Sequence, residues 1–231
     1  MRRACQLALL LLVAVAGAQP QDAVVDRIVA VVNRRVILES ELEQATRVEQ
    51  LLGGKPAGKE KPSPQELGMV LERLIDRALL EQQIAKSAPL DPSAEELAGQ
   101  IQEIRGKIPG ASTDEGWKSI LASYDLTQTD VEVHVISEFR VLRYVDLHFR
   151  GLVRVDRADI QTYYLETLLP ELTRRGAAVP PLAEVSDKIE KILVEQRMDE
   201  MLNDWLQTLR AQAHIEKLMS PGTSLAHGEK P

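Results

Sequence analysis

Residues 24–44, VVDRIVAVVNRRVILESELEQ, place a β-branched run, a turn at Asn33 and Arg34, a second short run Val36-Ile37-Leu38 and a helix start within one uninterrupted stretch. Val and Ile in such runs favour extended backbone. Two short strands alone are marginal in water, so this hairpin constrains the rest of the chain to supply a cover and, at one edge, a further strand. The arginine pair Arg34-Arg35 is not the usual asparagine-glycine turn chemistry and weakens a simple tight turn at Asn33. His214-Ile-Glu-Lys-Leu218 alternates in the way a strand does, with Ile215 on one side and Glu216 on the other. It is the candidate third strand.

Between these ends, helix starts are written in local chemistry. Ser40-Glu-Leu-Glu43, Ser63-Pro-Gln-Glu66, Ser93-Ala-Glu-Glu96, Ser112-Thr-Asp-Glu115 and Thr127-Gln-Thr-Asp130 each put a hydroxyl three residues before a carboxylate, the reciprocal capping pattern. They predict helices from Ser40 to about Leu52, Ser63 to Ala85, Ser93 to Pro109, Ser112 to Tyr124 and Thr127 to about Leu152. Leu67, Leu71, Leu74, Ile75, Ala78 and Leu79 recur at helical spacing and mark a buried face. Val131, Val135, Phe139, Leu142 and Val145 do the same in the long helix. Asp156 caps a helix over 158–169 that holds Tyr163 and Tyr164, and a final helix runs from Leu182 to about Ala213. GGKPAGKEKPSP, 53–64, reads as a flexible connection, and PELTRRGAAVPP, 170–181, as a short proline-bearing one. The fold class is therefore mostly α, with a small β-sheet made by the N-terminal hairpin and a C-terminal strand.

The first eighteen residues pair Arg2 and Arg3 with an apolar run from Leu7 to Val15 and end Ala16-Gly17-Ala18, the pattern of a cleavable secretory signal peptide. Cleavage after Ala18 leaves about 213 residues, enough for a single domain over 19–218. The tail 219–231, rich in Gly, Pro and Ser, is expected to be disordered. Nothing after the signal is a continuous apolar run long enough to cross a bilayer. Cys5 lies inside the signal, so the mature chain has no thiol chemistry. Losing Arg2 and Arg3 takes the formal charge from −7 to about −9, which argues against nucleic acid as a partner.

Catalytic signatures are missing from this sequence. His134, His148, His214 and His227 are far apart, and neither HExxH nor CxxC spacing occurs, so no metal site is expected. No GxSxG or glycine-rich phosphate loop is present, and no cofactor is implied. The carboxylates are explained by capping and solvated helix faces. What remains is apolar contact. Met198, Met201 and Trp205 lie at i, i+3 and i+7 beside Leu202, Leu206 and Leu209. Methionine repacks around varied side chains, which suits a surface for many sequences, although core packing explains the same spacing. Met69, off the main stripe of its helix, and Tyr163 and Tyr164 complete the candidate client-binding set.

VDRIVAVVNRRVILESELE, VLERLIDRALLEQQIAK and VDRADIQTYY together resemble the N-terminal domain of SurA-type periplasmic chaperones. PPLAEVSDKIEKILVEQRMDEMLNDWLQTLRAQAHIEKL is similar to the C-terminal helix and strand of the same proteins. The resemblance implies one helical chaperone module, folded from an N-terminal part over 24–169 and a C-terminal part over 182–218. SurA-type proteins usually carry parvulin isomerase domains between these parts, whereas this chain has only 170–181 there, too short for that fold. The expected function is ATP-independent binding of unfolded or extended polypeptides in the periplasm, outer-membrane protein precursors among them. The alternatives are a subunit dedicated to one envelope partner and a divergent peptidyl-prolyl isomerase.

Overall fold

The computed structural model describes residues 26–58, 62–87 and 89–218; the expected signal peptide and the expected disordered tail from 219 lie outside them. Strands β1 (Ile28–Val32) and β2 (Arg35–Leu38) form the hairpin, and β3 (Ile215–Lys217) completes an antiparallel sheet in the order β2-β1-β3. Val32 faces Arg35 across the turn and Ile215 on the other side, and Val31 faces Glu216. The third strand is where the sequence pattern put it. The turn is tight despite the arginine pair, because Asn33 itself takes the left-handed φ of 57°, a conformation asparagine tolerates. Asn33 is also pinned from two sides. Its Nδ2 donates to Gln82 Oε1 at 2.8 Å, while its Oδ1 accepts from the His214 backbone N–H at 2.9 Å. The hairpin tip, the second helix and the C-terminal strand therefore meet at one side chain.

The helices are α1 (Glu39–Leu52), α2 (Pro64–Ile84), α3 (Ala94–Lys107), α4 (Asp114–Ser123), α5 (Gln128–Phe149), α6 (Arg157–Tyr163), α7 (Leu169–Arg174) and α8 (Leu182–Gln212). Reciprocal capping boxes form at Ser63, Ser93 and Thr127, and also at Asp156 with Asp159. Two expected boxes do not form. Strand β2 runs directly into α1, so Leu38 occupies the cap position, and the Ser40 backbone and hydroxyl both donate to Asp26, ahead of β1. At α4 the cap is Thr113, one residue later than expected, and its third position is Gly116, which has no side chain to return the bond.

Pro170 does not stop its helix either. Residues Tyr164–Leu168 widen into a π-helical turn, in which the Leu169 N–H bonds the Tyr164 carbonyl, and α7 continues from there with proline in its first turn. The wider turn accommodates the bond that proline cannot make. Part of the 170–181 connection is thus helical, and α5 ends at Phe149, before the expected Leu152.

Two apolar cores share the long helices. Val29, Ala30, Val32 and Ile37 from the sheet pack with Leu42 of α1, the Leu71, Leu74, Ile75 and Leu79 stripe of α2, Tyr144 of α5 and Leu209 of α8. The second core joins Val48 and Leu51 of α1 to Ile101, Trp117, Leu121, Val131 and Val135. The Arg210 guanidinium fastens α8 to α2 by pairing with Asp76 at 2.6 Å and Glu72 at 2.9 Å, and Lys217 reaches the same Glu72.

One glycine is required by close packing. A Cβ on Gly116 would run into the Gly110 carbonyl oxygen, which belongs to rigid backbone. Gly116→Ala is therefore expected to cost about 2–3 kcal/mol in chemical denaturation, as forced overpacking does. Gly99→Ala, inside α3 with nothing near the added methyl, is expected to stabilise by up to about 1 kcal/mol. Equal effects at the two positions contradict this packing argument.

Candidate client-contact surface

Where α8 crosses the end of α5, the local sequence RVLRYVDLHF is too rich in large side chains for a single buried stripe. Tyr144 turns inward and is buried, and burial pushes its phenol pKa up. Trp205 of α8 is half-buried and lies nearly parallel to Tyr144, with centroids 5.4 Å apart and 11° between planes. Phe149 meets the same indole edge-on at 5.6 Å and 72°. His148 stacks on the other partner, Tyr144, at 3.8 Å, and its Nδ1–H donates to the Tyr144 carbonyl at 2.8 Å. Such offset and edge contacts contribute about 0.5–1.5 kcal/mol each beyond burial. They hold a rigid aromatic ledge.

Large apolar side chains are exposed along this part of α5 and just after it. Leu142 is 64 % exposed, Leu147 68 % and Leu152 64 %. Leu142 was expected in the buried stripe, since its spacing from Val135 and Phe139 fits one. The crossing of α8 covers the Tyr144 and Val145 side of α5 instead and leaves Leu142 outside. Leu142 and Phe149 are seven residues apart, two turns along one face of α5.

The candidate residues separate into three places. Met198, Met201 and Trp205 share one face of α8, but Met198 is only 8 % exposed, whereas Met201 is half-buried one turn from the indole. Tyr163 and Tyr164 are half-buried at the junction of α6 and the π turn, and the Tyr164 hydroxyl donates to the Pro180 carbonyl at 2.9 Å. Arg197 of α8 ties this region down by pairing with Asp159 of α6 at 2.8 Å. Met69, 48 % exposed on α2, stands apart beside a small charged recess where Lys55 meets Glu66 and Arg73 meets Glu49. Tyr144, Phe149, Leu147 and Leu152 were not singled out from the sequence. The apolar density of the α5 end was the available signal.

His227 lies outside the described residues. His134 Nδ1 sits 3.5 Å from Arg77 Nη2, and burial, then the guanidinium, pushes its pKa down. Among the described residues no group of three His, Cys, Asp or Glu side chains is arranged to hold a metal ion. No helix among them is long and apolar enough to cross a membrane.

The α5 helix is anchored to α3 by Arg143, which pairs with Glu96. That bond, with the Ser93 backbone N–H, lowers the Glu96 pKa from 4.5 to about 2. A carboxylate with a depressed folded pKa contributes stability that is complete above 4.5 and is lost as pH falls through about 2. The stability difference between the wild type and Glu96→Gln is therefore expected to be visible at pH 6 and to close by about pH 2. A difference independent of pH removes the ionic tether from this account.

A family model described as a SurA-like N-terminal domain matches residues 4–143, more than half of the chain. The chain belongs to that family. Such SurA-like domains are non-catalytic chaperone modules with a chaperone-like role in the periplasm. No curated protein matches the chain. The match ends within α5, so Tyr144, Phe149 and Trp205 of the aromatic ledge lie outside it. The SurA-like sheet nevertheless depends on β3 from the unmatched end.

Proposed function

We propose that this SurA-like chain is an ATP-independent periplasmic chaperone that holds unfolded or extended polypeptides, outer-membrane protein precursors among them. The observation that carries the reading is the α5–α8 crossing, where Trp205 and Met201 are half-buried on α8 and Leu142, Leu147 and Leu152 stand exposed on α5 and just after it. An apolar surface of this kind marks an interaction site. Its aromatic floor is rigid, while methionine and leucine adapt to different partners. The N-terminal signal pattern supports delivery to the compartment that precursors cross. Binding by many weak contacts needs no covalent step and works by mass action.

The test is light scattering of an unfolded outer-membrane protein diluted into increasing amounts of the mature chain. Scattering is expected to fall in proportion to free chaperone, without ATP. Unchanged aggregation at several-fold molar excess, with no crosslinked complex, defeats the reading in favour of a subunit dedicated to one partner.

A further inference from the structure

Helix α2 belongs to the first apolar core and the opening half of α5 to the second, and where these two stretches meet the contact carries polar side chains. Ser137 is buried there, and its hydroxyl donates to Glu81 of α2 at 3.1 Å. One turn earlier, the half-buried His134 sets its Nδ1 3.5 Å from Nη2 of Arg77. The same guanidinium nitrogen reaches Glu138 of α5 at 2.9 Å. Arg77 therefore tethers α2 to α5 between an imidazole and a carboxylate that lie one turn apart on a single helix face.

The charged groups facing His134 are Arg77 from α2, Glu138 from its own helix and Glu49 from α1, the last bound by Arg73 at 2.8 Å. Asp130, one turn before it, accepts from Gln44 of α1 and from the Thr127 backbone N–H. Burial of the ring, then the guanidinium, holds the His134 pKa below the usual 6.5. A histidine depressed in this way contributes stability that is complete above 6.5 and is lost as pH falls below it. Charging the ring sets a second cation against Arg77. It also makes the ring a competitor for Glu138, and an imidazolium paired there closes the ion pair within α5 instead of across to α2.

We propose that His134 is an acid-operated release for the α2–α5 contact, exchanging the Arg77–Glu138 pair between helices for a His134–Glu138 pair inside α5. The exchange takes from Arg77 its partner on α5 and removes the ionic tether at the junction of the two cores. The helix released at this point carries Tyr144 and Phe149 toward its other end, so ambient acidity reaches the client-contact surface through α5. The release is a property of the fold and does not depend on what that surface binds.

The test is amide hydrogen exchange on the full mature chain at about pH 7 and about pH 5, corrected for the intrinsic pH dependence of exchange. Opening of 131–141 in α5 is expected to become about tenfold more frequent at the lower pH, the factor that matches one unit of pKa depression, while the β1–β2 amides change by less than about twofold. His134→Gln, which cannot take up a proton, is expected to hold the α5 change below about twofold. Glu138→Gln removes the carboxylate that is exchanged and is expected to give the faster opening already at neutral pH, again with less than about twofold change on acidification. Each comparison is made between two pH values of one variant, so a constant loss of stability from a substitution does not imitate the effect. An equal acceleration in the wild type and in His134→Gln overturns the inference, as does an acceleration spread evenly over the whole chain. A tenfold response that survives in Glu138→Gln overturns the exchange of partners.

Discussion

Removing residues 214–231 is expected to lower the stability of the chain by about 3 kcal/mol, while removing only 220–231 leaves it nearly unchanged. The longer deletion takes β3 and the bonds that hold it to β1: Asn33 N–H to the His214 carbonyl at 2.7 Å, Leu218 N–H to the Val29 carbonyl at 2.9 Å, and the Val31–Glu216 pairing between them. Backbone bonds contribute about 1 kcal/mol each, and the half-buried Ile215 adds apolar area. The pairing of Lys217 with Glu72 adds little, since both side chains are more than a third exposed. In a chain of this size the loss corresponds to a fall of about 10 °C in Tm. A larger consequence follows from what is uncovered. Without β3, Val31 presents its free N–H and carbonyl on an open edge, which invites other chains to pair. Equal melting temperatures for the two truncations remove β3 from the account of the fold.

What could be read from the sequence was whatever local chemistry encodes. The boxes at Ser63, Ser93 and Thr127 involve residues three apart and form as written. Ser40 carries the same signature, but its hydroxyl is claimed by Asp26, fourteen residues away across a strand, and no window along the chain reveals that competition. Pro170 reads as a helix stop because α geometry cannot accommodate it, and the π turn escapes that premise. The third strand was legible because alternation at 214–218 and an incomplete hairpin at 24–38 pose and answer one question. The surface was less legible. Periodicity identifies the faces of α5 but not which neighbour covers them, so Leu142 was read inward and the ledge of Tyr144, Phe149 and Trp205 was not assembled. Met198 and Met201 illustrate the same limit, since one is buried and the other half-buried on one face of one helix.

The double substitution Leu142→Glu with Leu147→Glu is expected to leave stability within about 0.5 kcal/mol of the wild type, as exposed positions do, and to weaken client holding by more than tenfold. Both side chains are about two-thirds exposed, so the native fold loses little when they change. A bound chain that covers them gains about 1–2 kcal/mol from each leucine, and losing that from two sites corresponds to a factor of roughly thirty or more in affinity. Placing two carboxylates there adds the cost of desolvating charge on contact with an apolar segment. Trp205→Ala is a poorer probe, because the indole also supports Tyr144 and Phe149 and its loss opens the core by about 3 kcal/mol. Salt provides the complementary arm. Wild-type suppression of aggregation is expected to change little between about 0.1 and 0.5 M salt, since screening acts on exposed charges and leaves apolar contact in place. A folded double variant that still suppresses aggregation at the wild-type ratio of chaperone to client shows that clients are held elsewhere on the molecule, and the α5–α8 ledge is then a feature of packing alone.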